Sequence, residues 1–263
     1  MISQQSKPAM STGTPPEHEA DEVAMTLIDH LVELRGRLIK ASIGVLLGLG
    51  IGVFLVTGPV QLVDVIITTF APINASYAPV QSVGTTETFT SYMSAALTVG
   101  VIVGMPVIVY QLLAFIVPGL TDKERRLIYL SLPFVTAFFL SGVAFGWFIT
   151  VPTAIRFLIG FSGSKFIQAQ PSLADFLGTI TMLLLINGVV FELPIIIYVL
   201  AFLGVVTAKQ LRSFRRFAIV IVVIVAAVIT PTGDPINLML LAIPMYLLYE
   251  VGVIMARFVP KRD

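Results

Sequence analysis

The stretch ERRLIYLSLPFVTAFFLSGVAFGWFIT, residues 124–150, opens on a glutamate and two arginines and then carries no charge to its end. At about 1.5 Å per residue, a helix over 127–150 is long enough for a bilayer core of about 30 Å. The same alternation governs the rest of the chain. Fourteen of the sixteen Lys and Arg residues fall into four patches. These are Lys7, Arg35, Arg37 and Lys40; Lys123, Arg125 and Arg126; Lys209, Arg212, Arg215 and Arg216; and Arg257, Lys261 and Arg262. Between consecutive patches the chain is almost purely apolar and long enough to cross a membrane twice. Period-two alternation is not sustained, which argues against a transmembrane barrel.

Composition agrees. Charged residues make up 12% of the 263 and hydrophobic residues 57%, with a mean hydropathy of +0.97. A soluble domain carries about 25% charged residues. The reading is an all-α membrane protein with one helical domain over residues 26–258. Residues 1–25 are polar, rich in Pro, Ser and Glu, and lack the apolar core of a signal peptide. They are expected to form a disordered tail, and 259–263 a second short tail. The chain has no cysteine, which excludes disulfides and thiol chemistry.

Six transmembrane helices are expected, at about 36–56, 89–117, 124–150, 173–203, 211–229 and 236–257. Six crossings put all four basic patches on one side, which the positive-inside rule makes cytoplasmic, with both termini there. Only Arg156 and Lys165 fall opposite. The exterior loops at 57–88 and 151–172 are long, and amphipathic runs such as 60–70 predict short interfacial helices in them. The charge-free runs 217–233 and 235–249, of 17 and 15 residues, predict short fifth and sixth helices. Pro106, Pro194 and Pro244 lie inside helical runs and are expected to kink them or to free carbonyls.

Glu192 is the one charge deep in an apolar run, in NGVVFELP, residues 187–194. A carboxylate at bilayer depth costs about 2.5–3.5 kcal/mol and is expected to face protein or water. It serves either as a functional polar contact or as a protonated group bonded to a neighbouring helix. Glu33 and Arg37 form an i, i+4 pair on a segment whose Leu31, Leu34 and Leu38 share one face. Asp122 and Glu124 put negative charge on the basic side beside Phe115 and Pro118, although Thr121 and Glu124 also read as a capping box. A carboxylate pair beside an apolar surface suits a ligand with guanidinium groups next to an apolar stretch. Asp234 reads as a turn former, and Gln111 and Asn187 as interhelical amides. His18 and His30 have no metal-binding companions. No nucleotide-binding or nucleophile-elbow motif is present, so neither an enzyme, a cofactor nor a metal is expected.

Five segments, in order, carry a family resemblance. They are HLVELRGRL (30–38), YQLLAFIVPGLT (110–121) with ERR (124–126), FELP (191–194), the turn TPTGDP (230–235) and LAIPMY (241–246). Together they resemble the TatC family, the large subunit of the twin-arginine protein translocase. The resemblance implies a cupped six-helix bundle in the bacterial cytoplasmic membrane, rather than the thylakoid, that receives signal peptides bearing two consecutive arginines. It maps the arginine-binding carboxylates to Glu33 and Glu124, with Arg35, Phe115, Leu120, Arg125 and Arg126 at neighbouring positions. It maps the intramembrane carboxylate, linked with small single-span partners TatA and TatB, to Glu192. Pro72 and Pro106 fall on family prolines, and Asp234 aligns with a one-residue shift. A homo-oligomer within the complex, transport driven by the proton-motive force, and no nucleic acid are implied. The competing reading is a proton-coupled small-molecule transporter using Glu192, although no inverted repeat is visible.

Overall fold

The computed structural model describes residues 17–71, 80–116, 122–160, 171–230 and 234–259. Among these, every regular element is helical, and Gln81 and Ser172 form one isolated bridge. Helix α1 spans Glu17–Thr57, α2 Leu62–Phe70 and α3 Glu87–Ile116. Helix α4 (Asp122–Phe145) runs through a π-turn at Gly146–Thr150 into α5 (Val151–Gly160). Helix α6 (Leu173–Val190) and α7 (Leu193–Phe202) follow, then α8 (Ala208–Ser213), α9 (Arg215–Ile229) and α10 (Pro235–Met255), which ends in a 3₁₀ turn at Ala256–Phe258.

Among the described residues, five runs are apolar and long enough to cross a membrane: Leu31–Thr57, Glu87–Phe115, Leu132–Ile159, Leu173–Phe202 and Pro235–Phe258. The protein is therefore a multi-pass membrane protein. Helix α9, with 15 residues, rises only about 22 Å. It falls within 211–229, the run expected to form a short helix. The run expected to be sixth is longer than its charge-free stretch, because the charge of Glu250 is paired and the helix continues past it.

Two other elements differ from expectation, and the fourth run is interrupted where Pro194 is expected to kink it or free carbonyls. Residues 17–25, assigned to a disordered tail, belong to α1: nothing from Glu17 to Arg35 breaks a helix, and Glu, Ala and Met there favour one. The third span does not stop at Thr150 but continues to Gly160, since Val151, Ala154 and Ile155 bury themselves against α2 and α6. The fourth run is broken at Phe191 and Glu192, where Pro194 sits in the first turn of α7 and has no N–H to give. Pro106, Pro133 and Pro244 lie within α3, α4 and α10. Within the run 60–70, residues 62–70 form a short helix, α2, with Val63 and Ile66 buried.

The main seam is between α1 and α3. Gly44, Gly48 and Gly52 recur every four residues and so line one stripe of α1. A Cβ on Gly48 meets the carbonyl oxygen of Gly100, and one on Gly52 meets that of Ala96. A Cβ on Gly44 comes within 2.7 Å of Val107, and one on Gly100 within 2.7 Å of the Leu49 backbone. In lipid, apolar burial supplies little drive for helix pairing, so close backbone approach and dispersion supply it instead. The core beyond this seam gathers Val56, Val63, Ala96, Val151, Phe176, Leu177 and Ile180 from five helices. The edge of the Phe70 ring meets Trp147 at 4.8 Å and ties α2 onto the π-turn.

Gly48→Ala and Gly52→Ala are expected to destabilise the protein by about 1–3 kcal/mol each, since rigid backbone is what must move. Gly36→Ala, with nothing within 4 Å of the new Cβ, should stabilise it by about 0.5–1 kcal/mol through the helix propensity gained. Thermal unfolding of the three variants in detergent checks the ordering.

Candidate functional site at the basic end of the bundle

The α1–α3 register places the first candidate. Gly44 faces Val107 and Gly104, Gly48 faces Gly100, and Gly52 faces Ala96. The helices are therefore antiparallel, and eleven residues back from Gly44 corresponds to the end of α3. Glu33 lies there. Its carboxylate accepts from Arg37 at 3.2 Å, one turn along the same helix, and both side chains are about a quarter to a third exposed. Such a pair is worth a few tenths of a kcal/mol and is easily exchanged for another cation. Arg35 is exposed. Leu31, Val32, Leu34 and Leu38 around it are exposed as well.

The second candidate lies on the α3–α4 hairpin. Tyr110 and Tyr129 pair at 5.9 Å and hold the end of α3 against the start of α4. Phe115 is half-buried at the end of α3, and Arg126 is exposed on the first turns of α4. Glu124 and Arg125 lie on the first turn of α4, which begins at Asp122, one residue after the expected cap Thr121. Leu120, Thr121 and Pro72 lie outside the described residues. Glu33 and the hairpin that carries Glu124 thus share one end of the bundle, the end that the basic patches mark.

Glu192 sits elsewhere, in the break of the fourth run. It is 7% exposed, and its Oε1 accepts no hydrogen bond among the described residues. Its carbonyl accepts from the N–H groups of Ile195 and Ile196 at 3.0 and 2.9 Å, so the break costs the backbone little. Gln111 is also buried with Oε1 unpartnered. Asn187, one turn before Glu192, is satisfied: its amide donates to the Leu183 carbonyl at 2.8 Å and accepts from Thr150 Oγ1 at 3.2 Å. Asp234 is not a mere turn former. It caps α10, accepting from the Asn237 N–H at 2.7 Å and its side-chain amide at 2.8 Å. No cluster of metal ligands occurs among the described residues.

Two carboxylates escaped the sequence reading. Glu87 accepts from the N–H groups of Val83, Gly84 and Ala174, at 2.5, 2.9 and 3.0 Å, and so joins the start of α3 to that of α6. Glu250 accepts from Arg215 at 2.6 Å and from Tyr246 at 3.0 Å, joining α9 to α10. Neither has a local motif. Glu87 opens an apolar run and Glu250 interrupts one, which is the only signal the sequence offers.

An unpartnered buried carboxylate costs stability. Glu192→Gln and Glu192→Leu are therefore expected to leave the melting temperature in detergent unchanged or to raise it. A fall of several degrees in both variants would make Glu192 a structural residue.

Comparison with known proteins identifies the family. A family profile described as Sec-independent protein translocase protein (TatC) matches residues 29–244. The chain is 38% identical over 242 residues to the Sec-independent protein translocase protein TatC of Deinococcus radiodurans, covering 88% of this chain and 85% of that one. It is 34% identical over 241 residues to the TatC of Aquifex aeolicus, covering 90% and 97%. A crystal structure described as the twin-arginine translocase receptor TatC superposes with a TM-score of 0.73 at 32% identity, over 88% of this chain and all of that one. With the profile covering most of its length and its fold matching a solved relative, the chain belongs to the TatC family of Sec-independent protein translocase components.

Proposed function

We propose that this protein is the receptor of its translocase and binds signal peptides that carry two consecutive arginines ahead of an apolar stretch. The observation that carries the reading is Glu33: a carboxylate on the basic end of the bundle, held among the described residues only by a part-exposed intrahelical pair and bordered by exposed leucines. A face whose charge serves only to keep it on one side of the membrane has no use for such a group. A ligand guanidinium can displace Arg37 from Glu33 at little cost, since the pair is weak. Glu124 on the α3–α4 hairpin supplies the second carboxylate, and Phe115 and Leu120 the apolar surface. Arg35, Arg125 and Arg126 keep the surrounding field positive, so that only a cation matched to the carboxylates is admitted. Lysine is a poorer ligand than arginine, because an ammonium lacks the planar fork that a carboxylate pairs with.

In this reading the chain crosses the membrane six times, α9 being the fifth crossing, with both termini in the cytoplasm of a bacterial cell. Glu192, with Gln111, offers buried polar contacts to single-span partners of the TatA and TatB kind. Those partners complete the path for folded cargo, driven by the proton-motive force. Pro72, Pro106 and Asp234 belong in this reading to the scaffold that holds these groups.

Glu33→Arg and Glu124→Arg are each expected to reduce photo-crosslinking to a twin-arginine peptide at least tenfold, and together to abolish it. A twin-lysine peptide should bind the unaltered protein about tenfold more weakly or worse. Crosslinking that survives the double reversal would sink the assignment. Glu192→Gln should leave peptide crosslinking intact but lower the amount of single-span partner that co-purifies in mild detergent.

A further inference from the structure

Between the end of the fourth run and the end of the last lies a pocket of about 540 Å³, within the range of about 300–1,000 Å³ typical of ligand sites. Lys209 and Arg212 line it from α8, and Arg257 from the 3₁₀ turn after α10. The two α8 cations are three apart and share a face of that helix. No acidic residue lines the pocket, and among the described residues none of the three cations forms an ion pair. Its other walls include Ala201, Val206 and Val259.

The wall is built, not incidental. Gly204, at φ +75°, turns the chain out of α7, and the Thr207–Gln210 capping box fixes the start of α8. The Tyr249 hydroxyl donates to the Leu211 carbonyl at 2.6 Å and ties α8 to α10. Three like charges are thus held around one cavity by a tether from each side, a cost that an anion would offset. The flanks show which anion. Val205 is 64% exposed and Phe258 78% exposed, each next in sequence to a pocket residue. The pocket lies at the ends of the runs Leu173–Phe202 and Pro235–Phe258, both long and apolar enough to cross a bilayer.

We propose that this pocket is a binding site for the phosphate headgroup of an anionic phospholipid. Lys209, Arg212 and Arg257 hold the phosphate, and Val205 and Phe258 lie along the first acyl carbons. Basic pockets between spans at a membrane surface recognise headgroups in this way. A soluble phosphate would use the cations and gain nothing from the apolar rim.

The test uses the full chain, delipidated in mild detergent and titrated with acyl-labelled phosphatidylglycerol or phosphatidylcholine. Phosphatidylglycerol should bind at least tenfold more tightly. Lys209→Gln, Arg212→Gln and Arg257→Gln together should remove that preference, while Arg212→Lys with Arg257→Lys should keep it. Phosphatidylglycerol bearing a photoreactive group near its glycerol should crosslink to the unaltered protein at residues 205–212 or 257–259. Equal binding of the two lipids, an unchanged triple variant, or crosslinks confined to other segments would overturn the proposal. Displacement of the lipid by inorganic phosphate at matching concentration would overturn it too, assigning the site to a soluble anion.

Discussion

Everything on the basic end depends on how closely α1 approaches α3. Three glycines at four-residue spacing remove the side chains from one stripe of α1, so that Gly48 and Gly52 press on backbone carbonyls of α3. Contact at that distance fixes the register, because a slide by one residue would set Leu49 and Val53 against the same carbonyls. The register in turn fixes where Glu33 stands relative to the α3–α4 hairpin. The proposed recognition surface, drawn from two distant parts of the chain, is thereby positioned by residues outside it.

The fourth run solves a different problem. A carboxylate inside a continuous helix in lipid would have to find its own partner. Here Glu192 occupies a break, next to Phe191, which packs against Phe145 at 5.3 Å and against Gly142. The backbone bonds close on either side of the break, and Gly252 admits Pro194 and Ile197 from the far side. The polar atom is buried, and among the described residues it accepts no hydrogen bond. A buried group that the fold leaves unsatisfied is the basis for the partner contact proposed above.

Much of this was legible in the sequence. The apolar runs between basic patches gave the spans, and the amphipathic run before Phe70 gave α2, because both signals are local sums over many residues. Glu192 stood out because a charge at that depth has no cheap explanation. What stayed hidden depended on contacts distant in sequence. Glu87 looks like any helix-opening glutamate until Ala174 is seen to donate to it. Glu250 ended the charge-free count at Tyr249, and only its bond to Arg215 shows why the helix goes on. The continuation of the third span past Thr150 rests on burial of Val151 and Ala154 against elements far along the chain. Nor did the basic cluster at 209–216 disclose that two of its members converge on Arg257.

The π-turn at Gly146–Thr150 has an angular consequence. Each residue of an α-helix turns the chain by about 100° about its axis, and a π-turn fits one extra residue into a turn without ending the helix. Every side chain beyond it is therefore phased about one residue out of step with those of α4. The faces of α4 and α5 are two separate reading frames on one rod. Val151, Ala154 and Ile155 meet the core only in the second frame. Deleting a single residue from the turn would leave a smoother helix of almost the same length, yet it would swing that apolar face away from α2 and α6. The irregular turn is what lets one span serve two neighbourhoods that do not lie in line.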